Sequence, residues 1–225
     1  MIEVVPSIIP ESFDDLYVGM SQVRKIVPRV QLDIANGTYA PSTTWPFSSD
    51  EHFAELASEA EGWPFWRDLD IELDMLIAEP EEHLDEWIRT GIIAAIIHIE
   101  STREHSKILK NLRMYAVGVG WGVKPSTPND KLFAIIAAAG APDFVQVMGS
   151  DRIGYHGVEL EPRVYAKVRE IRERYPELSI AVDIGVSEET APKLVEAGVT
   201  KLVAGSAIFG EEDTRAAVER LRAPI

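Results

Sequence analysis

A (β/α)8 barrel is predicted by three features of this 225-residue chain. Eight short β-branched or apolar runs are each followed by a stretch of helical periodicity. The length suits one barrel and exceeds a minimal domain. The last two runs, Ala181-Val182-Asp183-Ile184-Gly185-Val186 and Leu202-Val203-Ala204-Gly205-Ser206-Ala207-Ile208-Phe209-Gly210, break into an acid or glycines, as strands do where they deliver groups to a barrel mouth. One domain over 1–225 is expected.

In order, Val4 to Ile9 reads as the first strand. Ser12 is placed to cap a helix from Phe13 to Ile26, where Leu16, Met20 and Val23 recur at helical spacing. Val30 to Ile34 is the second strand, and Asn36-Gly37 turns the chain. Residues 38–68 are long for a crossover and rich in aromatics. They are expected to form an elaborated connection over the mouth or an edge, with a helix from Glu51 to Glu61.

Ile71 to Ile77 alternates at period two and is the third strand, followed by a helix from Glu81 to Thr90 that Gly91 stops. Ala94 to Ile99 is the fourth strand, with a helix from Glu104 to Leu112. Val117 to Val123 is the glycine-rich fifth, with a helix from Asn129 to Ala139. Phe144 to Met148 is the sixth, trailed by a loop from Gly149 to Val158 and a helix from Pro162 to Tyr175. Ile180 to Asp183 is the seventh, with a helix from Glu188 to Ala197. Lys201 to Ala204 is the eighth, and Glu211 to Arg222 closes the fold.

The net charge of −15 argues against a nucleic-acid partner, which needs a cationic footprint. No apolar run approaches the roughly 18 residues of a membrane span, so no membrane association is expected. Pro6 and Pro10 interrupt the first apolar run and no basic segment precedes it, unlike a signal peptide. A cytoplasmic location is expected. The absence of cysteine excludes disulfides and thiolate metal sites.

Loops after the last two strands of such barrels frequently bind phosphate through backbone N–H groups. Gly185, Gly205 and Ser206 stand in those loops beside Asp183. An acid next to a phosphate cradle suggests chemistry on a phosphorylated small molecule.

Eight phrases carry a resemblance: PSII at 6–9, LDIANG at 32–37, DMLIAEP at 74–80, HIE at 98–100, VKPSTP at 123–128, VQVMG at 145–149, AVDIGV at 181–186 and VAGSAIF at 203–209. In that order they make the chain resemble the ribulose-phosphate 3-epimerase family over nearly its whole length. The resemblance implies interconversion of D-ribulose 5-phosphate and D-xylulose 5-phosphate. In that chemistry one carboxylate removes a proton beside a ketose carbonyl, and a second carboxylic acid returns one to the other face, through an enediolate. Asp33 and Asp183 match the two acids. Ser7 and Met148 match residues near the substrate; Gly154 and Gly157 keep glycines of the family's lid after strand six if one residue is inserted, while its proline and glutamine are gone.

The departures lie in the metal site, where the family pairs two histidines with the two acids. Gln31 and Asp74 stand at the histidine positions, so Gln31, Asp33, Asp74 and Asp183 would form the set. One amide oxygen and three carboxylates are hard ligands, favouring Mg²⁺ or Mn²⁺ over Zn²⁺. Without an ion, one Asp would stay protonated and donate a hydrogen bond. Ile184 stands where the family has glycine, and Arg152 and His156 are new at the lid. His98 reads as a core histidine. No organic cofactor is expected; a sugar phosphate is the expected partner, and a homo-oligomer the expected assembly. Two other readings stay open: a phosphate-ligand binding or regulatory barrel without epimerase activity, and an isomerase or aldolase acting on another sugar phosphate.

Overall fold

The computed structural model describes residues 2–58 and 60–223. Eight parallel strands pair in sequence order and close on themselves: β1 (Glu3–Ile8), β2 (Arg29–Ile34), β3 (Asp70–Met75), β4 (Ala94–His98), β5 (Gly118–Val123), β6 (Phe144–Met148), β7 (Ser179–Asp183) and β8 (Lys201–Ala204). Helices α1 (Phe13–Val23), α2 (Phe53–Ala57), α3 (Leu84–Arg89), α4 (His105–Met114), α5 (Asn129–Ala139), α6 (Arg163–Arg174), α7 (Ala191–Ala197), α8 (Ser206–Phe209) and α9 (Thr214–Arg222) lie between or after them.

Alternate strand residues face inward, as a period of two requires. An inner apolar layer is built from Val5, Ala94, Ile96, Phe144, Ala181 and Val203. Residues of opposite parity, such as Leu32, Leu73, Ile97 and Val145, join the larger core under the helices. The glycines of β5 make room inside the barrel. A Cβ at Gly120 would lie 2.6 Å from the Phe144 ring, and one at Gly122 would lie 2.9 Å from His98 Nδ1. Near the strands' N-terminal ends, Glu72 and Lys201 form a buried ion pair of 2.9 Å, and Lys201 Nζ lies 3.9 Å from the centre of the Phe144 ring.

The crossover at 38–68 spans both expected places. Its first part lies at the mouth: Ala40 N–H donates to Leu76 O (3.2 Å), and Thr44 Oγ1 accepts from Ala35 N (2.9 Å). Its second part packs on the flank. There Trp45 is fully buried against Phe53, Trp63 and Trp87 at centroid separations of 5.8, 6.2 and 6.2 Å.

Several expected boundaries are corrected. The helix starting at Phe13 is capped by Ser12 but ends at Val23, because Lys25 turns into the left-handed region (φ 65°). The helix expected over Glu51–Glu61 shrinks to Phe53–Ala57: His52 is left-handed at its start, and Ala60 N–H closes the end on Glu55 O. Glu59 of that stretch lies outside the described residues. Glu81–Thr90 divides into a 3-10 turn, Pro80–Glu82, and α3. The start expected at Glu188 moves to Ala191, where Pro192 favours the first turn. The start expected at Glu211 moves to Thr214, because Asp213 caps Ala216 N–H. Strands three and four stop at Met75 and His98, before the apolar residues that follow them. The short helix α8 is an addition to the expected elements.

Candidate active site

Period-two alternation aims Gln31 and Asp33 of β2, Asp74 of β3, His98 of β4, Gln146 of β6 and Asp183 of β7 into the upper half of the barrel. All six are buried. Asp33 and Asp74 stand side by side in the β2–β3 register. Asp33, Asp74 and Asp183 each bring a carboxylate oxygen to a point where all three lie within 4.8 Å of one another.

Three N–H donors answer these carboxylates. Gln31 Nε2 donates to Asp33 Oδ1 (2.8 Å) and Asp183 Oδ2 (3.1 Å), bridging the pair. His98 Nε2 donates to Asp74 Oδ1 (2.9 Å), and Gln146 Nε2 donates to Asp74 Oδ2 (3.1 Å). The oxygens of both amides are buried without partners, as is His98 Nδ1.

Burial disfavours the charged form, and each carboxylate repels its neighbours' charge. Burial, then Asp183 and Asp74, push Asp33 well above the usual carboxylate range. Burial and Asp74 push Asp183 up to about 7, against the Ile184 N–H and Gln31, which pull it down. Burial alone would lower His98, but the charge and hydrogen bond of Asp74 outweigh it and raise the imidazole. Beside His98 lies a second polar group. Tyr39 packs its ring 5.2 Å from the imidazole and donates to Glu100 (3.0 Å), which also accepts from Lys124 N–H (3.1 Å) and Thr127 Oγ1 (2.5 Å).

Above the carboxylates one cleft is lined by Ser7, Asp33, Met148, Gly154, Gly157, Asp183, Gly185, Gly205 and Ser206. The structure thus brings every expected catalytic and phosphate-site residue to a single opening. Gln31 and Asp74 do not line it; they sit deeper. His156 lines the cleft; Arg152 does not, but its guanidinium lies 5.9 Å from the centre of the ring of Tyr155, which does. Gly205 starts α8, and a Cβ there would approach Ser7 Oγ to 3.1 Å. Gly185 has φ +70°, and its Cβ would meet Leu160 N at 2.3 Å, so the base of the lid requires glycine there. Ile184 holds φ 77°, rarely tolerated by a β-branched residue, and its N–H donates to Asp183 Oδ1 at 2.7 Å.

Gln146 is not among the residues expected at the site, and His98 was expected in the core. A signal existed: Phe144, Gln146 and Met148 share one parity on a strand whose other residues are apolar, so an amide there must face the barrel axis.

The three carboxylates offer only oxygen, and a half-turn of the Gln31 amide would bring its unpartnered Oε1 to face Asp33 and Asp183. That donor set fits a hard divalent ion.

Known proteins resemble this chain along nearly its whole length. The ribulose-phosphate 3-epimerase of Bacillus subtilis is 28% identical over 99% of this chain and 99% of its own. That of Eremothecium gossypii is 26% identical over 97% of this chain and 91% of its own. Among solved structures, 3-hexulose-6-phosphate synthase from Salmonella typhimurium superposes with a TM-score of 0.69 at 14% identity, covering 98% of this chain and 96% of its own. Orotidine 5'-monophosphate decarboxylase from Sulfolobus solfataricus superposes with a TM-score of 0.64 at 12% identity, covering 98% of this chain and 96% of its own. Those two likenesses speak for the barrel alone. The family model described as "Ribulose-phosphate 3 epimerase family" matches residues 3–209, all eight strands included. This chain therefore belongs to the ribulose-phosphate 3-epimerase family.

Proposed function

We propose that the chain interconverts the C3 epimers of a ketopentose phosphate, D-ribulose 5-phosphate and D-xylulose 5-phosphate, with Asp33 and Asp183 as the two acid–base groups. The observation that carries this reading is the pair itself: two buried carboxylates from β2 and β7, joined by one amide, at the floor of a single cleft. The relatives in Bacillus subtilis and Eremothecium gossypii bear the epimerase name.

The phosphate would rest against the backbone of Gly185, Gly205 and Ser206, which line the cleft. That places the sugar carbons over the carboxylates. A two-base reaction needs one carboxylate and one carboxylic acid at once. The raised proton affinities of Asp33 and Asp183 retain a proton on the pair near neutrality. The ionised member takes the C3 proton from one face, and the protonated member returns one to the other. Gln31 Nε2 contacts both and keeps them in register. Burial keeps bulk water off the enediolate, while both acids line the cleft, through which they exchange protons with solvent.

Asp33, Asp74 and Asp183 would hold a divalent ion, Mg²⁺ or Mn²⁺ by their hardness; the Gln31 oxygen would join them once the amide turns over and exchanges its Nε2 contacts with the pair for a place on the ion. When bound, it supplies positive charge against the negative charge that develops on the sugar oxygens. A cytoplasmic location belongs to the same proposal, supported by the relative in Oryza sativa named as a cytoplasmic isoform.

The test is a coupled assay on D-ribulose 5-phosphate with added Mg²⁺ or Mn²⁺, together with exchange of the C3 proton with solvent deuterium. Asp33→Asn and Asp183→Asn are each expected to lose about 10²–10⁴-fold in turnover, because amides cannot take the proton. Wild-type rates in either variant would remove that residue from the mechanism.

A further inference from the structure

We infer that Gln146, together with His98, is a positioning residue that holds Asp74 for a divalent cation. The inference rests on the metal-assisted reading of the site. Asp74 is fully buried and does not line the cleft. Each of its oxygens is engaged from a different strand, Oδ1 by His98 Nε2 from β4 and Oδ2 by Gln146 Nε2 from β6. Those two bonds fix the plane of the carboxylate. A carboxylate offers about four acceptor sites, so capacity remains for a cation shared with Asp33 and Asp183.

The cost of this arrangement argues that it is used. Gln146 leaves Oε1 buried without a partner, and His98 leaves Nδ1 so. An apolar residue at 146 would avoid burying an amide beside Gly122 and Ala181, its partners in the β5–β6 and β6–β7 registers. His98 is oriented by packing: Gly122 leaves space on one side, and the Tyr39 ring lies 5.2 Å away. Outer partners of this kind orient metal ligands and set metal affinity. Because the family's histidine is Asp74 here, its supports must be donors, and both are.

The experiment titrates Mn²⁺ into chelator-treated protein by calorimetry and records the melting temperature of each metal-free variant. Gln146→Leu and the similarly sized Gln146→Met are expected to bind Mn²⁺ about 10–100-fold more weakly. Their metal-free melting should stay near wild type, since both fill the space with apolar atoms. In an Asp74→Asn background the same Gln146 substitutions should add little further loss, because their effect passes through Asp74. Wild-type affinity in both variants, or an undiminished loss in the Asp74→Asn background, would overturn the positioning role. Wild-type protein that takes up no Mn²⁺ would overturn it too; the epimerase reading is decided separately, by deuterium exchange.

Discussion

Asp183 shows how burying a carboxylate among others costs stability. Burial first, and Asp74 next, lift its proton affinity to a pKa of about 7. The unfolded chain gives up that proton near pH 4, so between about pH 4 and 7 the folded state binds more protons and stability falls as pH rises. The loss is complete above the folded pKa. About three decades of proton affinity, at roughly 1.36 kcal/mol each, set a ceiling of ~4 kcal/mol. Asp183→Asn should therefore raise the melting temperature of metal-free protein at pH 8 and leave it unchanged at pH 4. A destabilised variant at pH 8 would show that the carboxylate is not strained. Excess Mn²⁺ should raise the wild-type melting temperature at pH 8, since a cation favours the ionised forms. The resemblance to the family supplied the acid–base roles proposed for Asp33 and Asp183, and their places at strand ends were legible in the sequence. The bridge through Gln31 Nε2 was not: the same residue offers an amide nitrogen or oxygen, and only neighbouring carboxylates decide which faces them.

Between strands and loops, the lid after β6 illustrates what an element owes to its contacts. Ile153 is buried with Ala35, Ala40, Leu76 and Met148, so the lid shares a small core with the crossover. Its base is tied by Glu161, which accepts from Ser150 Oγ (2.9 Å) and Asp151 N–H (2.7 Å). At Gly154 the lid meets the crossover: φ is +81°, and a Cβ would lie 2.3 Å from Ser42 Oγ and 3.0 Å from the Ala40 Cβ. Gly154→Ala should displace the lid. The left-handed backbone adds about 1–2 kcal/mol of strain. The second-order constant kcat/KM should fall by up to about 10²-fold, because the loop lines the cleft proposed to bind substrate. Unaltered kinetics in that variant would place the lid outside the substrate site. The sequence showed that the lid keeps its glycines, but not that Gly154 faces Ser42, far upstream in the chain. Helix starts were similarly misplaced where a local cap decided them, as Asp213 does for α9.

At the scale of the whole barrel, Glu72 of β3 and Lys201 of β8 join distant strands across the interior. Arg29 Nη1 approaches the same carboxylate at 3.7 Å. Taking Lys201 away leaves Glu72 buried with only the longer Arg29 contact, at a cost of up to about 3–5 kcal/mol. Lys201→Met should therefore destabilise the protein by that amount in urea unfolding. The double variant Glu72→Met with Lys201→Met should recover most of it, because matched apolar replacements of buried pairs are often neutral or better. A double variant as unstable as the single would show that the pair itself, and not the orphaned charge, holds the barrel. Activity should survive in the double variant, since the pair lies toward the N-terminal ends of the strands and the cleft proposed to bind substrate lies at the other.

The sequence by itself determined the barrel, the order of its strands and the two acids at the mouth. Strand alternation and helical periodicity are local properties, and a strand end in such a barrel points to the mouth whatever the neighbours are. It also carried the family. Only the tertiary structure decided that Gln31 bridges Asp33 and Asp183, that His98 and Gln146 clasp Asp74, and that glycines 120 and 122 exist to admit Phe144 and His98. It alone moved the helix ends to their caps. These are contacts between strands far apart in the chain. The direction of a hydrogen bond, the shift of a proton's affinity and the room for a side chain all depend on which groups closure brings to the axis. Periodicity carries no record of that meeting.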